Sequence, residues 1–97
     1  MSNHLEIRDK ALEEIDESYG YYEEQKTGLG DNFTKDVFKT IRYIQNFPLH
    51  FSIFNKNYRQ VKTEKFSFLV VYEFEEITNT IIIISVFHTS RNPKKKL

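Results

Sequence analysis

The residues of this chain best suited to chemistry are Arg59, Lys62, Lys65, His88, Arg91 and the run Lys94-Lys95-Lys96. Arginine holds its charge at every accessible pH, so Arg59 and Arg91 suit phosphate binding or stabilisation of a pentacoordinate phosphorus transition state. Histidine is the side chain suited to moving a proton near neutral pH, which makes His88 the candidate for that role. Together the three would serve metal-independent RNA cleavage, in which a 2′-hydroxyl attacks the neighbouring phosphate. In that reading His88 transfers the proton, Arg59 binds phosphate and Arg91 stabilises the transition state. An ordinary structural reading stands beside it. Arg59 pairs with an acid of the first helix, His88 is tied to backbone at a strand end, and Lys94 to Lys96 form a solvated tail. Lys62, Lys65, Lys94, Lys95 and Lys96 are the expected partner-binding residues.

Other chemistries find no support in the residue pattern. His4, His50 and His88 each stand alone, without a second ligand at metal-binding spacing, so neither a metal nor a cofactor is expected. Gly28-Leu29-Gly30 lacks the further glycines, the preceding strand and the lysine of a phosphate loop. There is no serine nucleophile elbow. The absence of cysteine removes thiol nucleophiles, thiolate metal sites and disulfides, and agrees with a reducing cytoplasm. The N-terminus has neither a basic nor an apolar signal region, and no apolar run approaches the ~20 residues needed to cross a bilayer. At 97 residues the chain is expected to form one cytoplasmic domain, 1–97, with no membrane partner.

The formal net charge of zero conceals two opposed halves. Residues 1–36 carry ten acids and four bases, whereas residues 37–97 carry four acids and ten bases, a split of −6 against +6. Such asymmetry points to an acidic or polyanionic partner for the second half. The alternative is a solvated acidic helix beside an ordinary basic sheet.

Several elements must position these residues. His4 to Arg8 alternates polar and apolar side chains, as a short strand does. Asp9 is the expected N-cap of a helix carrying Ala11, Leu12, Ile15, Tyr19 and Tyr22 on one face. Gly28 ends it in a left-handed conformation, and Asp31 or Asn32 is expected to cap a second helix carrying Phe33, Val37, Phe38, Ile41 and Ile44. Pro48 stops that helix, and the short link folds the two helices antiparallel. The period then changes to two. Strands are expected at Tyr58 to Lys62, Phe66 to Phe74 and Thr80 to Phe87, the first two joined by a hairpin at Thr63-Glu64-Lys65. Phe66, Phe68, Val70, Tyr72 and Phe74 share a face, and the apolar centre of the last strand predicts a central position. The expected fold class is α+β, in the order β-α-α-β-β-β, with a two-helix hairpin on a C-terminal antiparallel sheet.

The same order of motifs resembles the RelE/ParE superfamily of toxins from bacterial type II toxin–antitoxin systems, also called plasmid stabilisation proteins. The resemblance is carried by Tyr21-Tyr22-Glu23-Glu24-Gln25, by Gly28-Leu29-Gly30-Asp31-Asn32-Phe33 and by Asn46-Phe47-Pro48. It continues through Tyr58-Arg59, Phe66 to Tyr72 and His88-Thr89-Ser90-Arg91-Asn92-Pro93, and is closer to ParE than to RelE. It implies a toxin whose sheet cradles a segment of a cognate antitoxin. ParE-type members block DNA gyrase, and RelE-type members cut mRNA on the ribosome. By position, Arg59 and Arg91 match arginines of the family and His88 matches the histidine of the ParE-like closing motif. No tyrosine follows Tyr72, so the C-terminal catalytic tyrosine of RelE has no counterpart, and Lys94 to Leu97 replaces an aromatic closing residue. The expected function is a ParE-like toxin acting on gyrase or translation. The alternatives are a ribosome-dependent mRNA endonuclease and a decayed module that only binds antitoxin.

Overall fold

A computed structural model describes residues 3–90. Strand β1 (His4–Ile7) leads into helices α1 (Asp9–Gln25) and α2 (Leu29–Asn46), followed by β2 (Ile53–Asn55), β3 (Tyr58–Lys62), β4 (Phe68–Glu75) and β5 (Thr80–His88). The five strands form one sheet in the order β1-β5-β4-β3-β2. Neighbours β2 to β5 are antiparallel, and β1 joins β5 in parallel, making the sheet mixed. The expected α+β order is observed, with the short strand β2 added before the three predicted ones. β5 lies inside the sheet between β1 and β4, and Ile81, Ile82 and Ile83 are all buried.

One face of the sheet takes the helices. Phe68, Val70, Tyr72, Ile81, Ile83 and Val86 pack against Ala11 and Ile15 of α1 and Phe33, Val37, Ile41 and Ile44 of α2. Phe66 and Phe74 extend this face as half-buried neighbours, as the alternating pattern predicts. The helical stripes are narrower than expected. Leu12 and Phe38 are 47% and 39% exposed, because each lies ~100° around the helix from its buried neighbour. Ser18, Asp36 and Thr40 are buried instead.

Two caps differ from expectation. Arg8, rather than Asp9, occupies the N-cap of α1, with extended backbone and no side-chain bond, so Asp9 lies in the first turn near the positive end of the helix. At α2, Gly28 is the N-cap residue with φ 91°, and Asp31 falls inside the helix. The cap comes from the preceding helix: the Glu23 carboxylate accepts the N–H of Gly28 at 3.0 Å and of Gly30 at 2.9 Å. Gly30 also sits where a side chain would be crowded. A Cβ there would lie 2.8 Å from the Tyr19 carbonyl oxygen and 2.9 Å from Glu23 Oε1.

The link between β3 and β4 is longer than the expected three residues. Ser67 adopts φ 57°, so β4 starts at Phe68. The turn closes through Thr63, whose N–H donates to the Phe68 carbonyl while its Oγ1 accepts the Phe68 N–H at 2.9 Å.

Candidate functional site

Arg59 lies directly opposite Tyr72 in the β3–β4 ladder and therefore faces the same side of the sheet. Its Nη1 donates to the Phe51 carbonyl, and the Tyr72 hydroxyl donates to the Pro48 carbonyl at 2.7 Å. Two adjacent strands thus pin the segment between α2 and β2. Burial pushes the Tyr72 phenol up to about 12, with the Arg59 guanidinium pulling the other way. A loop carbonyl holds Arg59, where an acid of the first helix was the structural expectation. The arginine also lines an open groove of about 390 Å³ with Leu49, Phe74, Glu75 and Glu76.

His88 closes β5 opposite Phe68, with its ring edge-on to that phenyl at 5.4 Å. Its Nδ1 accepts the Ser90 N–H at 3.1 Å and lies 2.7 Å from Ser90 Oγ. An Nδ1 that accepts a backbone N–H assigns the neutral ring proton to Nε2. This is the strand-end backbone tie of the structural reading.

The end of β5 that carries His88 is held by an acid of α1. The ladder with β1 stops at Ile83, where the Arg8 N–H donates to the Ile83 carbonyl. Past that point Glu14 Oε1 accepts the Ser85 hydroxyl at 2.8 Å and the Val86 N–H at 2.9 Å. A bulge precedes it: Val71 pairs with Ser85 and Tyr72 with Ile83, leaving Ile84 unpaired.

The register fixes how far apart the candidates lie. Arg59 is level with Tyr72 and His88 with Phe68, on opposite sides of β4. Four residues along the strand and two strand spacings across put their Cα atoms about 16 Å apart. Arg91, Lys94, Lys95 and Lys96 lie outside the described residues. Lys62 is exposed at the end of β3, and Lys65 is exposed in the turn that follows. That turn is fastened to α2 by the buried Asp36, whose Oδ2 accepts the Lys65 N–H at 3.0 Å and the Phe66 N–H at 2.8 Å. Among the described residues, no group of three His, Cys, Asp or Glu side chains could hold a metal, and no helix is long and apolar enough to cross a membrane.

A helix hairpin on a mixed sheet, with an acid of α1 holding the strand that ends at His88, is the frame onto which the family match falls. The model of the ParE toxin of type II toxin–antitoxin systems matches residues 5–93. This chain belongs to the ParE toxin family. The fold of this ParE-family chain is shared with solved toxins. It is similar to the chromosomal ParDE system of P. aeruginosa with TM-score 0.77 and 14% identity over 90% of this chain and 96% of that one. It is similar to the intact E. coli RelBE toxin–antitoxin complex with TM-score 0.72 and 16% identity, over 93% of this chain and 100% of that chain. The isolated E. coli RelE toxin gives TM-score 0.71 and 15% identity, over 98% and 93%. No curated protein matches the sequence.

Three acids of this ParE-family chain, Glu14, Glu23 and Asp36, hold its framework together, and of these the sequence marks only Glu23, as part of the Tyr21 to Gln25 motif. Each bonds backbone N–H groups, a role without a residue-type signature. A second cationic set also went unnoticed: Lys35 and Lys39 recur at i and i+4 on α2 and are exposed beside Lys65. Their helical spacing was the available signal.

Proposed function

We propose that this type II toxin acts in the cytoplasm, is silenced by a cognate antitoxin, and when free arrests growth by binding DNA gyrase rather than by cutting RNA. The observation that supports the binding mechanism is the strand register, which sets the Cα atoms of Arg59 and His88 about 16 Å apart across β4. A phosphodiester reaction needs its proton carrier and its phosphate clamp within contact of one phosphorus centre, near 3 Å from the reacting atoms. Both side chains also have structural employment, Arg59 at the Phe51 carbonyl and His88 at Ser90. A toxin that works by occupying its target needs no such convergence.

The antitoxin partner is supported by relatives of the same fold that were solved as toxin–antitoxin complexes, RelBE of E. coli and ParDE of P. aeruginosa. The surplus of bases over acids after residue 36 favours an acidic antitoxin segment on the basic half of the chain.

The test is a paired assay on the purified chain. Gyrase supercoiling is measured beside cleavage of mRNA on programmed ribosomes. The expected result is inhibited supercoiling with intact mRNA. Codon-positioned cuts that vanish in His88→Ala would establish the endonuclease instead. Inactivity in both assays, with antitoxin binding retained, would identify a decayed binding module.

A further inference from the structure

We infer that the seam between α2 and the β3–β4 turn is a binding site for a single strand of nucleic acid, with an aromatic slot for a base and a lysine cradle for the adjoining phosphate. This inference rests on the residues of that seam and not on the choice of gyrase as target. Two adjoining hollows meet at Lys39. The first, about 230 Å³, is walled by Tyr43, Phe51 and Val61 and rimmed by Lys39 and Lys62. The second, about 110 Å³, is lined by Asn32, Lys35, Lys39 and Lys65, with Asp36 beneath.

The charges favour an anion in the smaller hollow. Lys35 and Lys39 stand one helical turn apart, about 6 Å along the axis. Lys65 approaches from the turn that Asp36 fastens to the helix, so the third lysine is positioned by a built contact. Two acids oppose them. The Asp36 oxygen Oδ2 is engaged by two backbone N–H groups, and Glu64 meets Lys39 at 3.5 Å with both side chains about 70% exposed. An ion pair that open is weak and exchanges readily for a phosphate.

The larger hollow supplies what an acidic peptide would not require. Tyr43 is 45% exposed and leads a run of touching rings, 5.1 Å from Phe47, 5.7 Å from Phe51 and 6.0 Å from His50. Phe47 is 53% exposed. Exposed rings beside a cationic groove are the two components of single-strand recognition, since every base has a face that can stack and every link a charge. Paired bases in a duplex are not available to the slot, so the strand must be single.

The experiment is fluorescence anisotropy of a labelled ten-nucleotide uridine RNA with the full chain, as a function of salt. One phosphate in the cradle of Lys35, Lys39 and Lys65 and a second at Lys62 predict a slope of log K against log salt near −1.4, at about −0.7 per phosphate. Lys39→Ala with Lys65→Ala removes the cradle and should flatten the slope by about 0.7 and weaken binding roughly fourfold at 0.15 M salt. Tyr43→Leu should weaken binding severalfold without changing the slope. Lys10→Ala with Lys26→Ala, an equal charge change at the two ends of α1, should bind as the unmodified chain does. Circular dichroism confirms that each variant is folded. Absence of binding at 0.05 M salt overturns the inference. So does a Lys39/Lys65 double variant that binds like the Lys10/Lys26 control, or a Tyr43→Leu variant that binds like the unmodified chain. A labelled ten-residue glutamate peptide that binds as tightly as the RNA also overturns it, and reassigns the seam to an acidic protein segment.

Discussion

Asp36 is the most informative place to perturb the framework, because one buried oxygen holds the β3–β4 turn against α2. The residue is 5% exposed, and its Oδ2 accepts the Lys65 and Phe66 N–H groups at 3.0 and 2.8 Å. Bonds of this charge-assisted kind contribute about 1.5–3 kcal/mol each. In Asp36→Ala the Lys65 N–H lies in an exposed turn residue and is rehydrated, whereas the half-buried Phe66 N–H loses most of its bond. The expected loss is therefore about 2–4 kcal/mol, a large share of the ~5–15 kcal/mol of a small domain. At about 4–8 °C per kcal/mol, the melting temperature should fall by roughly 8–32 °C. Asp36→Asn keeps an oxygen in place without its charge and should lose only about 1 kcal/mol. Urea denaturation followed by circular dichroism measures both, and an unchanged m-value shows that the denatured state is unaffected. The reasoning is refuted if Asp36→Ala lies within about 0.5 kcal/mol of the unmodified chain, the range of an ordinary surface change. It is equally refuted if Asn proves as damaging as Ala.

Three further outcomes follow from the contacts described. Gly30→Ala gains about 1 kcal/mol of helix propensity but sets a methyl 2.8 Å from the Tyr19 carbonyl oxygen and against the Glu23 cap, so net destabilisation of about 1–2 kcal/mol is expected by thermal melting. Tyr72 ionises near 12 in the folded chain and near 10 when unfolded, so its contribution is constant below pH 10. As pH rises from 10 to 12 the unfolded state sheds the proton first and stability falls, by no more than about 2 kcal/mol, and Tyr72→Phe should remove that part of the alkaline slope in pH-dependent urea melts. Arg59→Lys breaks the planar donation to the Phe51 carbonyl and should lower stability by about 1–2 kcal/mol while leaving gyrase inhibition by the folded variant intact, as read in supercoiling assays at low temperature.

The helices and long strands were legible because apolar side chains recur at the period of their element. Phe33, Val37, Ile41 and Ile44 trace one face of α2, and Phe68, Val70 and Tyr72 trace one face of β4. β2 was not legible, since three residues carry no periodicity and its turn is Asn-Lys-Asn. The caps escaped for a different reason. Glu23, Asp36 and Glu14 act on N–H groups 5 to 72 residues away in sequence, and only the folded chain brings them there. At the candidate site, residue type singled out Arg59 and His88, which lie on β3 and at the end of β5. Their separation depends on the β3–β4–β5 register, which no local pattern encodes. The lysines of α2 were visible at i and i+4, yet gain meaning only where the β3–β4 turn adds Lys65 beside them.

The most direct measurement is growth of cells after induction of the chain without antitoxin, with His88→Ala induced in parallel. A toxin that acts by binding predicts that both arrest growth, and that co-expression of an antitoxin relieves both. Growth unaffected by the unmodified chain, or an arrest that disappears in a stably folded His88→Ala variant, would contradict it.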